Sequence, residues 1–186
     1  MNQTPVIKTP RLTLRAPTAD DVQPWMDFFV TERGRWHGCG PEGGIARAWR
    51  ATATLIGHWQ IHGYGPFVFV RKEDNKPIGS CGPWYPADWP EPEMSWTIWD
   101  EQAEGKGYAF EAAHAVLDHL FNDRGWTSTP SYIDPANPRS IALAERLGAT
   151  LDPDAATPAR FEGHELVYRH HAATFGDNDG SVEAYA

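Results

Sequence analysis

Residues 93–109 read EMSWTIWDEQAEGKGYA, and the rest of the chain is organised around this stretch. Its first half, to about Trp99, has the apolar character of a strand, and its middle is polar. Gly105 and Gly107 then open onto a helical pattern that continues to about Asn122. The first backbone N–H groups of a helix have no partner within it, and glycine lets a phosphate approach them closely. The stretch therefore predicts a phosphate-binding turn at the start of a helix.

Length and charge limit the class of protein. A chain of 186 residues is long enough for one domain with a sizeable core. Its formal charge of -9 argues against nucleic acid as a partner, because nucleic-acid affinity depends on neutralising phosphates. The same charge is compatible with a cationic or amine substrate, although an excess of acidic residues is common in soluble proteins generally.

Cysteine use and hydropathy indicate a cytoplasmic protein. Cys39 and Cys81 form no obvious disulfide framework, so we expect reduced thiols. The N-terminal residues lack the charged and apolar regions of a signal peptide, and no apolar run is long enough to cross a membrane.

Before the central stretch, the sequence predicts a strand, two helices and a hairpin. The strand covers residues 11–15, a loop rich in glycine covers 34–44, and the hairpin pairs 67–71 with 77–84. The first helix buries a face made of Val22, Trp25, Met26 and Phe29. The second, from about 45 to 62, has the predicted apolar stripe Ile45, Ala48, Trp49, Thr52, Leu55, Ile56 and Trp59.

After the central helix, the pattern predicts a strand over 126–133, in which Pro130 favours an edge or splayed position. Asn137 suits the N-cap of the last helix and Pro138 its first position. A terminal strand follows over 160–169. This order predicts an α+β fold, a mixed sheet with helices on both faces.

Three pieces of sequence, in this order and spacing, carry a family resemblance. They are Glu93-Met94-Ser95-Trp96, Gly105-Lys106-Gly107-Tyr108-Ala109, and the segment from Asn137 to Gly148 that contains Ser140. Together they resemble the GNAT superfamily of N-acetyltransferases, and most closely the branch that includes the ribosomal-protein N-terminal acetyltransferases. The resemblance implies one domain over residues 10–171, with a central mixed sheet splayed in the middle. Residues 172–186 are then expected to be a disordered tail.

The resemblance also implies the activity. Family members use acetyl-CoA as co-substrate, without a metal, and transfer its acetyl group by direct attack in a ternary complex. The expected acceptor is a primary amine on a small molecule, a peptide or a protein N-terminus, and the expected assembly is a monomer or homodimer.

The family's cofactor motif, (Gln/Arg)-x-x-Gly-x-(Gly/Ala), has two registers here. Residues 102–107 match by letter, whereas 104–109, which we prefer, fit better by distance from Asp100 but have Glu104 at the first position. Both place the pyrophosphate over residues 105–110. In the family, free backbone groups of the splayed strand bind the pantetheine arm. Helix capping alone would explain Asn137, and Lys106 would also suit a solvated loop. The cofactor-binding residues implied are Thr97, Ile98, Trp99, Gly105, Lys106, Gly107, Tyr108, Ala109, Phe110, Asn137 and Ser140.

Acyl transfer to an amine needs a base, because an alkyl ammonium has a pKa near ~10. Glu93 is the first candidate, and a solvated carboxylate at a strand end is the alternative. His37, Asp88 and Glu91 are reserves. A backbone N–H of Ile98 or Trp99 is the family-like donor to the oxyanion.

The family's general acid is in doubt. Many relatives have a tyrosine at the position that Ala144 occupies here. We therefore consider Ser140 as a proton donor to the departing thiolate. Because a thiol has a pKa near ~8.5, the thiolate is also able to leave without a donor.

Five other interpretations stay open. The missing tyrosine would suit a non-catalytic CoA-binding module, and a longer acyl donor would fit the same fold. Cys39 beside His37 would suit a thiol nucleophile, although no family signature surrounds them. His58 and His62 lie four residues apart on a predicted helix, where an ordinary surface pair is a simpler explanation than a metal site. An aromatic acceptor wall is predicted from Trp36, Trp84, Trp89 and Trp96, with core packing as the alternative.

Overall fold

Two antiparallel sheets lie side by side in the computed structural model, which describes residues 4–161 and 163–175. The first contains, in spatial order, β1 (Ile7–Lys8), β2 (Leu12–Arg15), β3 (Phe67–Arg71), β4 (Lys76–Trp84) and β5 (Glu93–Ile98). The second has the order β6 (Ser128–Ile133), β8 (Leu166–His171), β7 (Thr150–Leu151).

Five α-helices accompany the strands in the described part of the chain. They are α1 (Val22–Phe29), α2 (Gly44–His62), α3 (Tyr108–Asp118), α4 (Pro138–Arg146) and a short α5 (Ala172–Phe175). Between α1 and α2, the loop expected over residues 34–44 contains two 3-10 turns, Glu32–His37 and Pro41–Gly43. The helix predicted to reach Asn122 changes at its end into a π-helical turn, His119–Asp123.

The hydrophobic core lies on both faces of the first sheet. Phe67 and Phe69 of β3 point to the face covered by α3, where they join Val116 and Leu117. Val68 and Val70, the alternate residues of the same strand, join a cluster with α1 and α2 on the other face. The predicted α+β fold with helices on both faces is therefore confirmed.

The predicted stripe of α2 is partly wrong. Ala48, Thr52 and Trp59 are buried as expected, but Ile45 is 58% exposed and Trp49 is 57% exposed. Trp49 follows Ala48 by one residue, which turns it about 100° around the helix axis. The predicted stripe therefore covered a wider part of the helix surface than the face that α2 buries.

The C-terminal end corrects a second expectation. Residues 172–175, predicted to begin a disordered tail, form α5, and the ring of Phe175 packs 5.3 Å from that of Phe121. Residues 176–186 of the predicted tail lie outside the described residues. β8 also starts at Leu166 instead of residue 160, after a 3-10 turn at Ala159–Phe161.

Other expectations hold. β3 and β4 form the predicted hairpin. β6 is an edge strand on the side that faces β5, which explains why Pro130 is tolerated. Across the described ranges, no helix is long and apolar enough to cross a membrane.

Candidate active site

The two sheets meet at β5 and β6 and then separate. Thr129 of β6 donates its hydroxyl to the carbonyl of Pro92 at 2.9 Å, and Ser131 donates to the carbonyl of Met94 at 2.6 Å. Both partners advance by two residues from one bond to the next, so the strands run in parallel. β5 and β6 belong to different sheets, and beyond Met94 the strand β5 lines a cavity from Trp96 to Ile98, which marks a gap between the two strands. We call this gap the wedge.

Backbone direction along β5 decides which groups face the wedge. The Met94 carbonyl points to β6, and main-chain direction alternates with a period of two, so Trp96 and Ile98 also face the wedge. The N–H of Trp99 donates instead to Ile78 of β4 at 2.8 Å. The expectation that Trp99 offers a free N–H is therefore wrong. Thr97, two residues earlier and paired with Ser80 of β4, also directs its main chain away from the wedge.

A cavity of about 660 Å³, the wedge cavity, runs from these strands to the start of α3. Gly105 and Gly107 have φ values of +70° and +75°, a backbone conformation that favours glycine. The first intrahelical bond, from the N–H of Glu111 to the carbonyl of Gly107, leaves the preceding N–H groups at the helix start without such a partner. From this turn and α3, the residues that line the cavity are Glu104, Gly105, Gly107, Tyr108, Ala109 and Phe110.

Lys106, predicted as a phosphate ligand, is exposed and does not line the wedge cavity. Its carbonyl accepts a hydrogen bond from the Arg11 guanidinium at 2.9 Å. The cations that do line the cavity are Arg33, Arg139 and Arg146.

The sequence analysis missed these arginines. Arg139 and Arg146 lie on one face of α4 with Ala142 and Leu143, at positions i, i+3, i+4 and i+7, so their spacing was a usable signal. Arg33 lies in the 3-10 turn Glu32–His37, and nothing local indicates its position.

Glu104 connects two of these arginines at the mouth of the wedge cavity. Its carboxylate pairs with Arg33 and, at 2.6 Å, with Arg139. Arg33 also donates to the Trp99 carbonyl at 2.5 Å, which ties the loop after α1 to the end of β5.

The start of α4 closes the other side of the wedge. Asn137 is the N-cap as predicted, and its Oδ1 accepts from the Ser140 N–H at 3.2 Å. The Ser140 hydroxyl oxygen accepts from the indole N–H of Trp96 at 3.3 Å. Because that oxygen acts as an acceptor here, the hydroxyl proton of Ser140 stays available for another group.

A second cavity, of about 500 Å³, lies beside the first, and we call it the Glu93 cavity. Glu93 is only 8% exposed. Burial raises the pKa of its carboxyl group to about 7, while Trp89 and the Tyr132 main chain lower it to a smaller extent. A carboxylate with this pKa is suited to accept a proton near neutral pH.

The reserve bases occupy different places. Asp88 and Glu91 do not line the Glu93 cavity, and Glu91 is held by the Arg169 guanidinium at 2.8 Å and 2.9 Å. His37 lines both cavities and is hydrogen-bonded to the Thr97 hydroxyl. Although part of His37 contacts solvent, the protein packed around its ring lowers the imidazole pKa, so the ring is neutral at pH 7.

The remaining candidates are explained by their contacts. Burial raises the pKa of Cys39, which disfavours the thiolate that a nucleophile requires. His58 uses both ring nitrogens, one beside the Tyr64 carbonyl and one accepting from the Tyr85 N–H, each at 2.9 Å, so neither is free for a metal. Of the predicted aromatic wall, Trp89 is absent, and the members that line the Glu93 cavity are Trp36, Trp84 and Trp96.

Ala144, at the family's tyrosine position, is fully buried and lines neither cavity. It packs in a small cluster with Ile133, Ala149 and Tyr168. The two cavities nevertheless share a boundary, formed by Trp36, His37, Trp96, Asn137 and Ser140.

Comparison with known proteins identifies the class. Residues 11–150 match the family described as the acetyltransferase (GNAT) domain, so the chain belongs to the GNAT acetyltransferase family. It is accordingly an acyl-CoA-dependent N-acetyltransferase that uses acetyl-CoA as co-substrate.

Solved structures agree with this assignment. An acetyltransferase from Agrobacterium tumefaciens strain C58 is 34% identical, with a TM-score of 0.82 over 92% of this chain and 96% of that one. Aminoglycoside acetyltransferase AAC(6')-Ib, in complex with coenzyme A and kanamycin, is 18% identical, with a TM-score of 0.71 over 89% of this chain and 98% of that one, which shows a shared fold.

One curated protein has a shorter match. The uncharacterized protein YkkB of Bacillus subtilis (strain 168) is 50% identical over 44 residues, which are 24% of this chain and 26% of that protein. The match thus spans about a quarter of the curated protein's length. The branch of the family to which the chain belongs stays a prediction.

Proposed function

We propose that the protein transfers the acetyl group of acetyl-CoA to a primary amine by direct attack in a ternary complex. The amine is carried by a small molecule, a peptide or a protein N-terminus. The observation that supports this proposal is the common boundary of the two cavities at Trp96 and Ser140. A donor in one cavity and an acceptor in the other would bring their reacting atoms together at this boundary.

The wedge cavity is suited to the cofactor. The unpaired N–H groups at the start of α3 are donors for a pyrophosphate, and the positive φ of Gly105 and Gly107 keeps bulky side chains away from it. The wedge-facing main chain of Trp96 and Ile98 supplies hydrogen bonds to the amide groups of the pantetheine arm.

The Glu93 cavity is suited to the amine. An ammonium group must lose a proton before its nitrogen can attack, and a base with a pKa of about 7 performs this step near neutral pH. Glu93 accepts that proton directly or through one water molecule.

Acetyl transfer then forms one carbon–nitrogen bond and breaks one carbon–sulfur bond. The amine nitrogen attacks the thioester carbonyl carbon, and the Ile98 N–H stabilises the resulting oxyanion. When the tetrahedral intermediate collapses, the carbon–sulfur bond breaks and the amide is left. As the intermediate collapses, its nitrogen loses a second proton. That proton reaches the thiolate through solvent or through Ser140, which gives its hydroxyl proton to the sulfur and takes one from the nitrogen. The proton on Glu93 returns to solvent.

The proposal also covers domain extent and location. We expect a monomer or homodimer with a single domain, whose predicted extent of residues 10–171 widens to include β1 at one end and α5 at the other. A cytoplasmic location accords with the unpaired thiols of Cys39 and Cys81.

Two measurements test the function. Acetyl-CoA should raise the melting temperature, since a ligand that binds only the folded state stabilises it. A panel of amines should then release free thiol from acetyl-CoA in an amine-dependent manner. Binding without amine-dependent thiol release would favour the CoA-binding module that the buried Ala144 suggests, and longer acyl donors can be compared in the same assay.

A further inference from the structure

Charge on the wall of the Glu93 cavity contrasts with the rest of the protein. The chain has a formal charge of -9 and 16 basic Lys and Arg residues. Four arginines line this one cavity, whereas its carboxylates are Glu93, Asp134 and Glu165. The cavity is therefore not an extension of the acidic surface, and overall charge alone does not describe its acceptor.

Two of the four arginines are free to bind a ligand. Arg47 and Arg50 lie on the same side of α2 as Thr54, at positions i, i+3 and i+7, and all three line the cavity. Both arginines are exposed, and within residues 4–161 and 163–175 no carboxylate lies at ion-pair distance from either of them.

The other two arginines already have partners. Arg35 pairs with Glu32 at 3.0 Å and also with Glu42. Arg160 lies over the ring of Trp89, 4.2 Å from its centroid, and its charge acts on the Glu93 and Glu165 carboxyl groups. Among the described residues, Arg47 and Arg50 are therefore the two arginines of this cavity with neither an ion pair nor a ring contact.

A different wall, formed by β5, β6 and the residue before β8, presents acceptors for a cation. Besides Glu93, it contains Tyr132 and Glu165, whose polar atoms are the Tyr132 hydroxyl and the carboxylate oxygens of Glu165, Oε2 among them. The Tyr132 hydroxyl and Oε2 of Glu165 are buried and lack a hydrogen-bond partner among the described residues. An ammonium group, with three donors, would satisfy atoms of this kind.

We propose that the acceptor is a small molecule that carries both a primary amine and an anionic group, either a carboxylate or a phosphonate. This inference rests on the function proposed above. The amine lies at Glu93, Tyr132 and Glu165, and the anion is bound by Arg47 and Arg50. A guanidinium binds such oxyanions through paired hydrogen bonds. A polycationic acceptor such as kanamycin would place positive charge beside two unpaired arginines.

Matched acceptor pairs test the inference. The pairs are 4-aminobutyrate with 4-aminobutanamide, 6-aminohexanoate with 6-aminohexanamide, and 2-aminoethylphosphonate with 2-aminoethanol, with kanamycin as the polycationic probe. Free thiol is measured at saturating acetyl-CoA. We expect kcat/KM to favour the anionic member of at least one pair by about tenfold, the worth of one charge-assisted hydrogen bond.

A variant tests whether Arg47 and Arg50 cause the preference for the anionic acceptor. In the double variant Arg47→Gln/Arg50→Gln, the preference for the anionic member should fall towards unity, through a higher KM for that member. Arg124→Gln is the matched control, since Arg124 is exposed and lines neither cavity. Circular dichroism and the melting temperature check that each variant folds.

The outcomes distinguish the two proposals. Three results would overturn the acceptor inference and leave acetyl transfer intact. They are equal kcat/KM for the charged and neutral members, a higher kcat/KM for kanamycin, and a preference that survives in the double variant. If no amine releases thiol although acetyl-CoA binds, both proposals fail.

Discussion

The hydroxyl of Ser131 donates to the carbonyl of Met94 at 2.6 Å, and this bond joins the two sheets where they begin to separate. The same hydroxyl oxygen lies 3.1 Å from Nε2 of His170, a buried ring. Because Ser131 uses its proton on Met94, its oxygen must accept from the Nε2–H of His170. One serine thus connects β5, β6 and β8 at the closed end of the wedge.

Replacing this serine should loosen the wedge. In Ser131→Ala, both the Met94 carbonyl and the His170 N–H lose their partner, so we expect the free energy of unfolding to fall by about 1–3 kcal/mol. The Kd for acetyl-CoA should rise as well, because the wedge-facing main chain of β5 loses its support. Urea unfolding and calorimetric titration measure the two effects.

The control for this prediction is Ser128→Ala on the same strand. Within the described structure, the Ser128 side chain makes no hydrogen bond, so its loss should change neither quantity. Unchanged acetyl-CoA affinity in a destabilised Ser131→Ala would show that the bond holds the sheets together without shaping the wedge.

Gly107→Glu should abolish acetyl-CoA binding. The φ of +75° at Gly107 already strains any other residue, and the new carboxylate would stand where the pyrophosphate is expected. Isothermal calorimetry with acetyl-CoA measures the loss.

Gly125→Glu is the control that separates the effect of backbone strain from the effect on acetyl-CoA binding. Gly125 has a φ of +70° and open space around its Cα, and it lines neither cavity. The same substitution there introduces similar strain and the same charge, so acetyl-CoA should bind normally. If both variants bind as the wild type does, the pyrophosphate lies elsewhere.

Glu93→Gln tests the proposed base. Loss of a general base should lower kcat/KM by roughly a hundredfold or more. The wild-type rate should rise with pH through the carboxyl pKa of about 7, and this rising limb of the pH–rate profile should vanish in the variant. Steady-state kinetics from pH 5.5 to pH 9 show the limb, and its persistence in Glu93→Gln would assign it to another group.

The same variant should alter stability in a pH-dependent way. Burial raises the folded-state pKa of Glu93 above its ordinary value of 4.5, to about 7, so the folded state binds the proton more tightly. Stability from this group is therefore fully present below pH ~4.5 and is lost as pH rises through ~7. At pH 8 we expect Glu93→Gln to be more stable than the wild type by up to about 3 kcal/mol, with the difference absent at pH 4.

Denaturation midpoints at the two pH values measure this difference. Glu73→Gln, on an exposed turn, carries the same change of charge and should show no pH-dependent gain. An equal gain at pH 4 and pH 8 would trace the effect to packing instead of ionisation.

The elements that the sequence predicted are those with local signals. Asn137 and Pro138 mark the start of α4 because capping is decided within one turn. Gly105 and Gly107 mark the turn before α3 because their backbone conformation favours glycine. Glu93 was suggested by the family resemblance, and it lines a cavity instead of being a solvated carboxylate at a strand end.

What the sequence did not predict depends on contacts between distant segments. Which of Thr97, Ile98 and Trp99 faces the wedge depends on the register between β4 and β5, which no single strand encodes. Arg33 reaches Glu104 across 71 positions of sequence, so no local pattern marks it. The unpaired state of Arg47 similarly appears only when its neighbours in space are known.

Glu104 places a negative charge on the wall of the cavity that is proposed for the cofactor. It lines the wedge cavity one residue before Gly105, and its carboxylate occupies both Arg33 and Arg139. A bound phosphate would compete for the same guanidinium groups. Glu104→Gln should therefore tighten acetyl-CoA binding, by roughly two- to fivefold, since ion pairs of this exposure are worth less than about 1 kcal/mol.

Titration at low and high salt measures this effect, which should shrink as salt screens the charges. Glu101→Gln, three residues earlier, exposed and outside the wedge cavity, should leave affinity unchanged. Weaker binding in Glu104→Gln would reverse the interpretation. The carboxylate would then act as a support that holds Arg33 and Arg139 where the phosphates need them, and its charge would matter less than the geometry it imposes.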